Sequence, residues 1–237
     1  DLDINSKLIA HNKRISDIFN ILYFKLLNPI EISELSSIDK WFIYQINTIV
    51  NCYQLLDNNI LHNNISQKEL IMNCKKNGFS DKQIAYMCNI TEIEIRKFRY
   101  NNNILPFVKQ IDTVAGEFPC FTNYLYLTYN ANCSDTCIVN KKNIIVLGSG
   151  VYRIGSSVEF DWCCVTCIKQ LRKMGFGTIM INNNPETVST DYDEADKLYF
   201  EELSVETVYS IYNIEKLISE SLEGIILSMG GQNSNNI

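Results

Sequence analysis

The stretch IIVLGSGVYRIGSSVEF, residues 144–160, decides the fold of the second half of the chain. Asn143 to Leu147 is a short apolar run that predicts a buried strand, and Gly148, Gly150 and Gly155 predict a tight turn after it. Glu159 to Lys173 carries apolar Phe160, Cys164, Cys167, Ile168 and Leu171 at helical spacing and ends at Gly175. Working outward, Thr178 to Ile181, Leu198 to Phe200 and Gly224 to Ser228 read as further strands. Ser204 caps a helix running to about Leu217, and Gly230-Gly231 stops the last strand. Strands alternating with helices imply parallel pairing, so residues 143–237 are expected to form a Rossmann-like α/β domain.

The glycine turn lies where a phosphate loop would, but its spacing fits neither familiar type. A dinucleotide fingerprint needs a third glycine where Arg153 stands. It also needs an acidic residue after the second strand, where this chain has Asn182 to Asn184. A P-loop needs lysine where Ser156 stands. Both nucleotide readings fail on named residues, and a nicotinamide oxidoreductase fails with them.

Residues 1–120 have another character. Ile15, Ile18, Phe19 and Leu22 mark one amphipathic helix, and Trp41, Phe42, Gln45, Ile46, Ile49 and Val50 mark a second, capped by Asp39 or an adjacent serine. Ser66 with Glu69, and Thr91 with Glu94, are capping-box signatures, and Asp81 is expected to cap a short helix through Cys88. Gly78 and Pro106 punctuate the series. Arg96, Lys97 and Arg99 read as a solvated helix face. Phe107 to Thr113 and Tyr124 to Thr128 read as extended, core-packing segments, with residues 121–142 a connecting arm. The expected class is therefore α plus α/β.

Bulk properties narrow the functional classes. The chain has 237 residues, with room for one large or two modest domains, is 46% hydrophobic and 20% charged, and carries a net charge of −6. Without a Lys/Arg excess no nucleic-acid partner is expected. No targeting signal and no apolar run of about 18 residues is present, so neither a membrane partner nor an exported product is expected. Nine cysteines suit reduced thiols in a cytoplasmic setting. Cys163, Cys164 and Cys167 are placed on an apolar helix face. Cys133 and Cys137 lack the further ligands that structural zinc needs, with His11 and His62 distant in sequence.

Three segments carry a specific resemblance: IIVLGSGVYRIGSSVEFDWCC (Ile144 to Cys164), IMINNNPETVSTDYDEADKLYFEELSVETV (Ile179 to Val208) and GIILSMGGQ (Gly224 to Gln232). They resemble the pre-ATP-grasp domain of carbamoyl phosphate synthetase, and the form of Asn184 to Asp193 is similar to its second, carbamate-phosphorylating half. WFIYQI (Trp41 to Ile46), KKNGFSDKQIA (Lys75 to Ala85), EIRKFR (Glu94 to Arg99) and LPFVKQIDTVAGEF (Leu105 to Phe118) resemble the helical oligomerisation domain that precedes that half.

The resemblance implies an ATP-dependent ligase making carbamoyl phosphate from bicarbonate, glutamine-derived ammonia and two ATP, with Mg (or Mn) and K as cofactors of the parent enzyme. It implies as partners the remainder of the synthetase chain, a glutaminase subunit or domain and further copies. It also implies that this chain alone binds no cofactor and is inactive, since no ATP-grasp domain is included. Glu159 and Glu186 match glutamates that line a carbamate tunnel, with Arg153 and Ser157 at the same edge. Gly148, Gly150, Gly155, Asn184, Gly230, Gly231 and Gln232 serve turning and packing. Ser157 stands where the family usually has glycine, and Val151 where it usually has proline. The alternative reading is a non-catalytic oligomerisation scaffold.

Overall fold

The computed structural model describes residues 4–57, 67–136, 139, 141–153, 158–219 and 221–237. The chain forms two compact units, Asp1–Leu105 and Pro106–Ile237. The first is helical: α1 (Ile4–Leu8), α2 (Arg14–Tyr23), α3 (Pro29–Ser36), α4 (Lys40–Asp57), α5 (Gln67–Lys76), α6 (Asp81–Cys88) and α7 (Glu92–Asn101). Local chemistry sets most of these boundaries. Asn28 and Glu31 close a capping box with Pro29 at the first helical position, and Thr91 and Glu94 close another. Asp39 Oδ1 accepts the amide of Trp41 at 2.8 Å, as its cap role requires. The Ser66 capping signature lies outside the described residues.

The core of this unit gathers Leu8, Ile18, Ile21, Leu22, Ile32, Ile43 and Val50. The two apolar stripes are rotated from the expected ones. Ile15 is exposed and Ile21 buried on α2, while Ile43 and Val50 face inward on α4 and leave Trp41 59% exposed, its ring edge-on to Phe42 at 5.0 Å. An apolar set wider than one helix face must leave some members outside, and the contact with α2 and α3 selects which.

Two expectations are corrected around Asp81. Ser80, not Asp81, is the cap of α6, and its box partner is Gln83. Asp81 is the first helical residue and fully buried, accepting Arg99 Nε at 2.7 Å and Nη2 at 2.6 Å, with Lys75 Nζ 3.2 Å away. Arg99 therefore belongs to a buried ion cluster and not to a solvated face. A forked guanidinium against a carboxylate, with its remaining nitrogen donating to the carbonyl of Ile104 at 3.1 Å, satisfies the groups that burial would otherwise penalise. Arg96 is half-buried and pairs with Glu92 at 3.0 Å, so of the three only Lys97 is exposed, as a solvated face implies.

The second unit is built on a six-stranded sheet of order β1-β2-β5-β4-β3-β6: β1 (Phe107–Gln110), β2 (Tyr124–Thr128), β3 (Asn143–Leu147), β4 (Gly177–Asn182), β5 (Lys197–Phe200) and β6 (Leu222–Ile226). All neighbours are parallel except β1 and β2, which pair antiparallel with Phe107 opposite Thr128. Residues expected to end the helical domain or form an arm thus supply two strands: β2 pairs with β5, Tyr124 opposite Leu198. The last strand ends at Ile226, two residues before the expected Ser228, which opens a one-turn 3-10 helix.

Two helices cover the sheet on opposite faces, α8 (Val158–Lys173) and α9 (Val205–Ile218). Side-chain alternation makes the division: Ile145, Leu147, Ile179, Ile181 and Tyr199 pack with Val208 and Ile211 of α9, whereas Val146, Met180 and Leu198 pack with Cys164, Ile168 and Leu171 of α8. All six residues of β4 are buried, as a central parallel strand requires. Cys164 faces this core, but Cys163 is exposed beside Trp162, so the three cysteines do not share a face. On the α9 side, Glu215 is buried and accepts Lys197 Nζ at 2.8 and 3.0 Å and the hydroxyl of Tyr199. Every described cysteine is free.

Candidate functional site

In an open α/β sheet, ligands meet the loops that leave the carboxyl ends of the strands. Here three such loops converge, after β3, β4 and β6. The approach is close enough to dictate glycine. A β-carbon on Gly148 would lie 2.4 Å from Asn182 Cγ, and one on Gly230 would lie 2.0 Å from the carbonyl oxygen of Gly148. Gly150 has φ +73°, a left-handed conformation that glycine adopts without strain. Gly231, at φ +74°, approaches the Phe160 ring.

Asn182, fully buried at the end of β4, is the hub of this edge. Its Oδ1 accepts the amides of Gly150 and Asn183, both at 3.0 Å, and its Nδ2 donates to Thr187 Oγ1 at 3.4 Å and Ser189 Oγ at 3.2 Å. Asn233, in the short helix α10 (Gln232–Asn235), plays a similar part between the first and third loops. Its Nδ2 donates to the carbonyl of Ser149 at 2.8 Å, and its Oδ1 accepts Arg153 Nη2. Gln232 opens the same helix and is exposed.

Glu159 is exposed in the first turn of α8, where the helix dipole favours a carboxylate. Glu186 is exposed in the second loop, its amide donating to Asn184 Oδ1 at 3.2 Å. That loop is cross-braced: the hydroxyls of Thr187 and Thr190 donate to the carbonyl of Asn184 at 2.9 and 3.1 Å. Asp161, buried on α8, accepts the amides of Val188 at 3.0 Å and Ser189 at 3.4 Å. Ser149 Oγ, Asp161 Oδ1 and Asn183 Oδ1 are buried at this edge without a hydrogen-bond partner. Burial first, and the charge of Asp161 second, push the Tyr152 hydroxyl above its ordinary range.

The structure thus joins Gly148, Gly150, Arg153, Gly230 and Gly231 through hydrogen bonds or close backbone approach, with Glu159 exposed at the start of α8 and Glu186 exposed on the second loop. Gly155 and Ser157 lie outside the described residues, as do Cys137 and His62. Sequence reasoning did not single out Asn233 or Asp161, and read Asn182 only as a missing ribose acid. A polar residue at the end of a wholly buried strand was the available signal for Asn182.

The Gly150 amide, of the kind a phosphate loop offers its ligand, is taken by Asn182, whose side chain fills the space above Gly148. Among the described residues no group of three or more His, Cys, Asp or Glu side chains is arranged to hold a metal ion. Among the same residues, no helix is long and apolar enough to cross a membrane.

Comparison with known proteins matches this architecture. A family model described as the carbamoyl phosphate synthase preATP-grasp domain matches residues 140–237. Another, described as the carbamoyl-phosphate synthetase large chain oligomerisation domain, matches residues 3–103. The chain is 54% identical over 204 residues to the multifunctional protein CAD of Squalus acanthias, covering 86% of this chain and 9% of that protein. It is 52% identical over 204 residues to the arginine-specific carbamoyl phosphate synthase large chain of Cutaneotrichosporon cutaneum, covering 86% and 17%. Against the multifunctional protein URA2 of Saccharomyces cerevisiae it is 46% identical over 245 residues, covering 100% and 10%. The chain thus spans between 9% and 17% of the length of these relatives.

Proposed function

Because the chain belongs to the carbamoyl phosphate synthetase large-chain family, whose oligomerisation and pre-ATP-grasp domains it carries, we propose that it works within an enzyme that makes carbamoyl phosphate from bicarbonate, glutamine-derived ammonia and two ATP. In this reading the helical unit couples copies of the synthetase, and the α/β unit forms the wall of a carbamate passage at the second synthetase site. A glutaminase subunit or domain and the remainder of the synthetase chain are its partners, and the setting is cytoplasmic. ATP, Mg or Mn, and K are used by those other parts. Taken alone, the chain turns over no ATP.

One observation carries the passage reading. Glu159, in the first turn of α8, and Glu186, on the loop after β4, are exposed at the carboxyl edge of the sheet that also carries a glycine turn whose amide and upper face are already filled by Asn182. Such an edge offers carboxylates and neutral amides to a small labile intermediate while refusing a nucleotide. Glu186→Gln in the full-length synthetase tests it. The expected result is a fall in carbamoyl phosphate formed per glutamine hydrolysed, with the glutaminase and both partial ATP reactions intact. Unchanged output would remove the passage role. The scaffold alternative draws on the exposed Trp41 and Phe42 of α4, apolar surface suited to a second copy, and it requires Glu186→Gln to be silent.

A further inference from the structure

In the reading above Asn182 serves only to fill the glycine turn, yet it has the most completely used side chain at the site. A carboxamide offers two N–H donors and one oxygen with two lone pairs. Asn182 engages Gly150, Asn183, Thr187 and Ser189 and so uses all four. These partners lie on both of the loops that lead to the two glutamates. The β3–β4 ladder ends with Leu147 opposite Ile181, followed by the Gly148 amide on the Ile181 carbonyl at 2.9 Å. Beyond that point two buried side chains link the loops: Asp161, from α8 to the amides of Val188 and Ser189, and Asn182, from the glycine turn to the hydroxyls of Thr187 and Ser189.

We infer that Asn182 is a positioning residue that holds the Glu159-bearing and Glu186-bearing segments at a fixed separation and so sets the bore of the carbamate passage. This rests on the passage reading and adds to it the part that fixes its width. The tie is rigid for two reasons. The side chain is fully buried with every donor and acceptor engaged, and its Cγ occupies the space that a β-carbon at position 148 would need. An apolar side chain of the same size would keep the volume but leave the Gly150 amide and the Ser189 hydroxyl without this partner, freeing the turn to move. An aspartate would keep the acceptor for both amides, and the Ser189 hydroxyl can rotate to donate to it while the Thr187 hydroxyl stays on the Asn184 carbonyl.

The test uses the full-length synthetase carrying this chain, with Asn182→Leu, Asn182→Asp, Ser189→Ala and Glu186→Gln measured side by side. Read out are carbamoyl phosphate per glutamine hydrolysed, the glutaminase, both partial ATP reactions and the melting temperature. Misplacement of a wall by about 1 Å is expected to cost Asn182→Leu about ten-fold or more in coupled output, with each separate reaction kept within about two-fold. Asn182→Asp is expected to restore coupling.

A lowered melting temperature with an unchanged coupling ratio, or a proportional fall in every reaction, would overturn the inference. If Asn182→Leu does not fold, Ser189→Ala decides: it removes one anchor, and an unaltered ratio in that variant counts against the proposal. Uncoupling by Glu186→Gln but not by Asn182→Leu would reject the positioning role and leave the passage standing. No uncoupling by either would reject both.

Discussion

The side chain of Asn182 occupies the place where a β-carbon on Gly148 would be, with 2.4 Å between that position and Asn182 Cγ. Glycine at 148 is thus demanded by a neighbour from another strand and not by its own backbone angles. Gly148→Ala is expected to destabilise the α/β unit by roughly 1–3 kcal/mol, the usual cost of overpacking. Combining it with Asn182→Ser, which vacates the space, should return part of that loss. Chemical denaturation of the two single variants and the double variant reads the coupling, and strictly additive losses would contradict the steric account.

The Asp81–Arg99 pair is the strongest electrostatic commitment of the helical unit. Removing one partner of a buried pair costs about 3–5 kcal/mol because the other charge stays buried. Arg99→Met leaves Asp81 with Lys75 at 3.2 Å, whereas Asp81→Asn removes the carboxylate that both cations share. Asp81→Asn is therefore expected to be the more damaging, as measured by the urea midpoint followed through helical circular dichroism.

Two cysteines of the α/β unit should react very differently. The Cys120 thiol is brought down to about 7, chiefly by its hydrogen bond with the Thr122 hydroxyl and next by Thr113. Burial above all, with the nearby Asp161 charge second, pushes Cys164 up to about 12. Iodoacetamide should modify Cys120 with a half-maximal rate near pH 7 and leave Cys164 untouched in the folded protein. Thr122→Val should move the Cys120 midpoint upward, as read by mass spectrometry across a pH series.

Glu201 carries a pH signature of the opposite sign from a salt-bridged acid. Burial raises its carboxyl above the ordinary value, against the Leu127 amide that donates to it at 2.5 Å. A raised folded-state pKa means that its contribution to stability is fully present below the unfolded pKa and is lost as pH rises through the folded one. Glu201→Gln, which keeps an acceptor for Leu127, is expected to raise the melting temperature at pH 7. The gain should shrink towards zero near pH 4, which thermal melts across that range measure.

Local signals proved legible. The Thr91–Glu94 box, the strand at 143–147 and the helix closed by Gly175 each depend on residues within a few positions of one another. Relationships over distance were not. Whether Arg99 is solvated depends on Asp81, 18 positions earlier, and β2 becomes a strand of the main sheet only through β5, more than 70 positions later. Which residues of an over-wide apolar stripe turn inward, Ile43 and Val50 rather than Trp41 and Phe42, is settled by the neighbouring helices. At the site, Gly148 and Gly150 announced a turn, but the reason for a glycine at 148 is the Asn182 side chain. Nothing within the turn itself encodes that neighbour.

The central claim is that this edge is a wall already filled from within, not a nucleotide cradle. Titration of Mg-ATP into the chain, followed by calorimetry, tests it most directly. No saturable binding is expected up to millimolar nucleotide. One-to-one binding in the micromolar range that Gly148→Ala abolishes would contradict it.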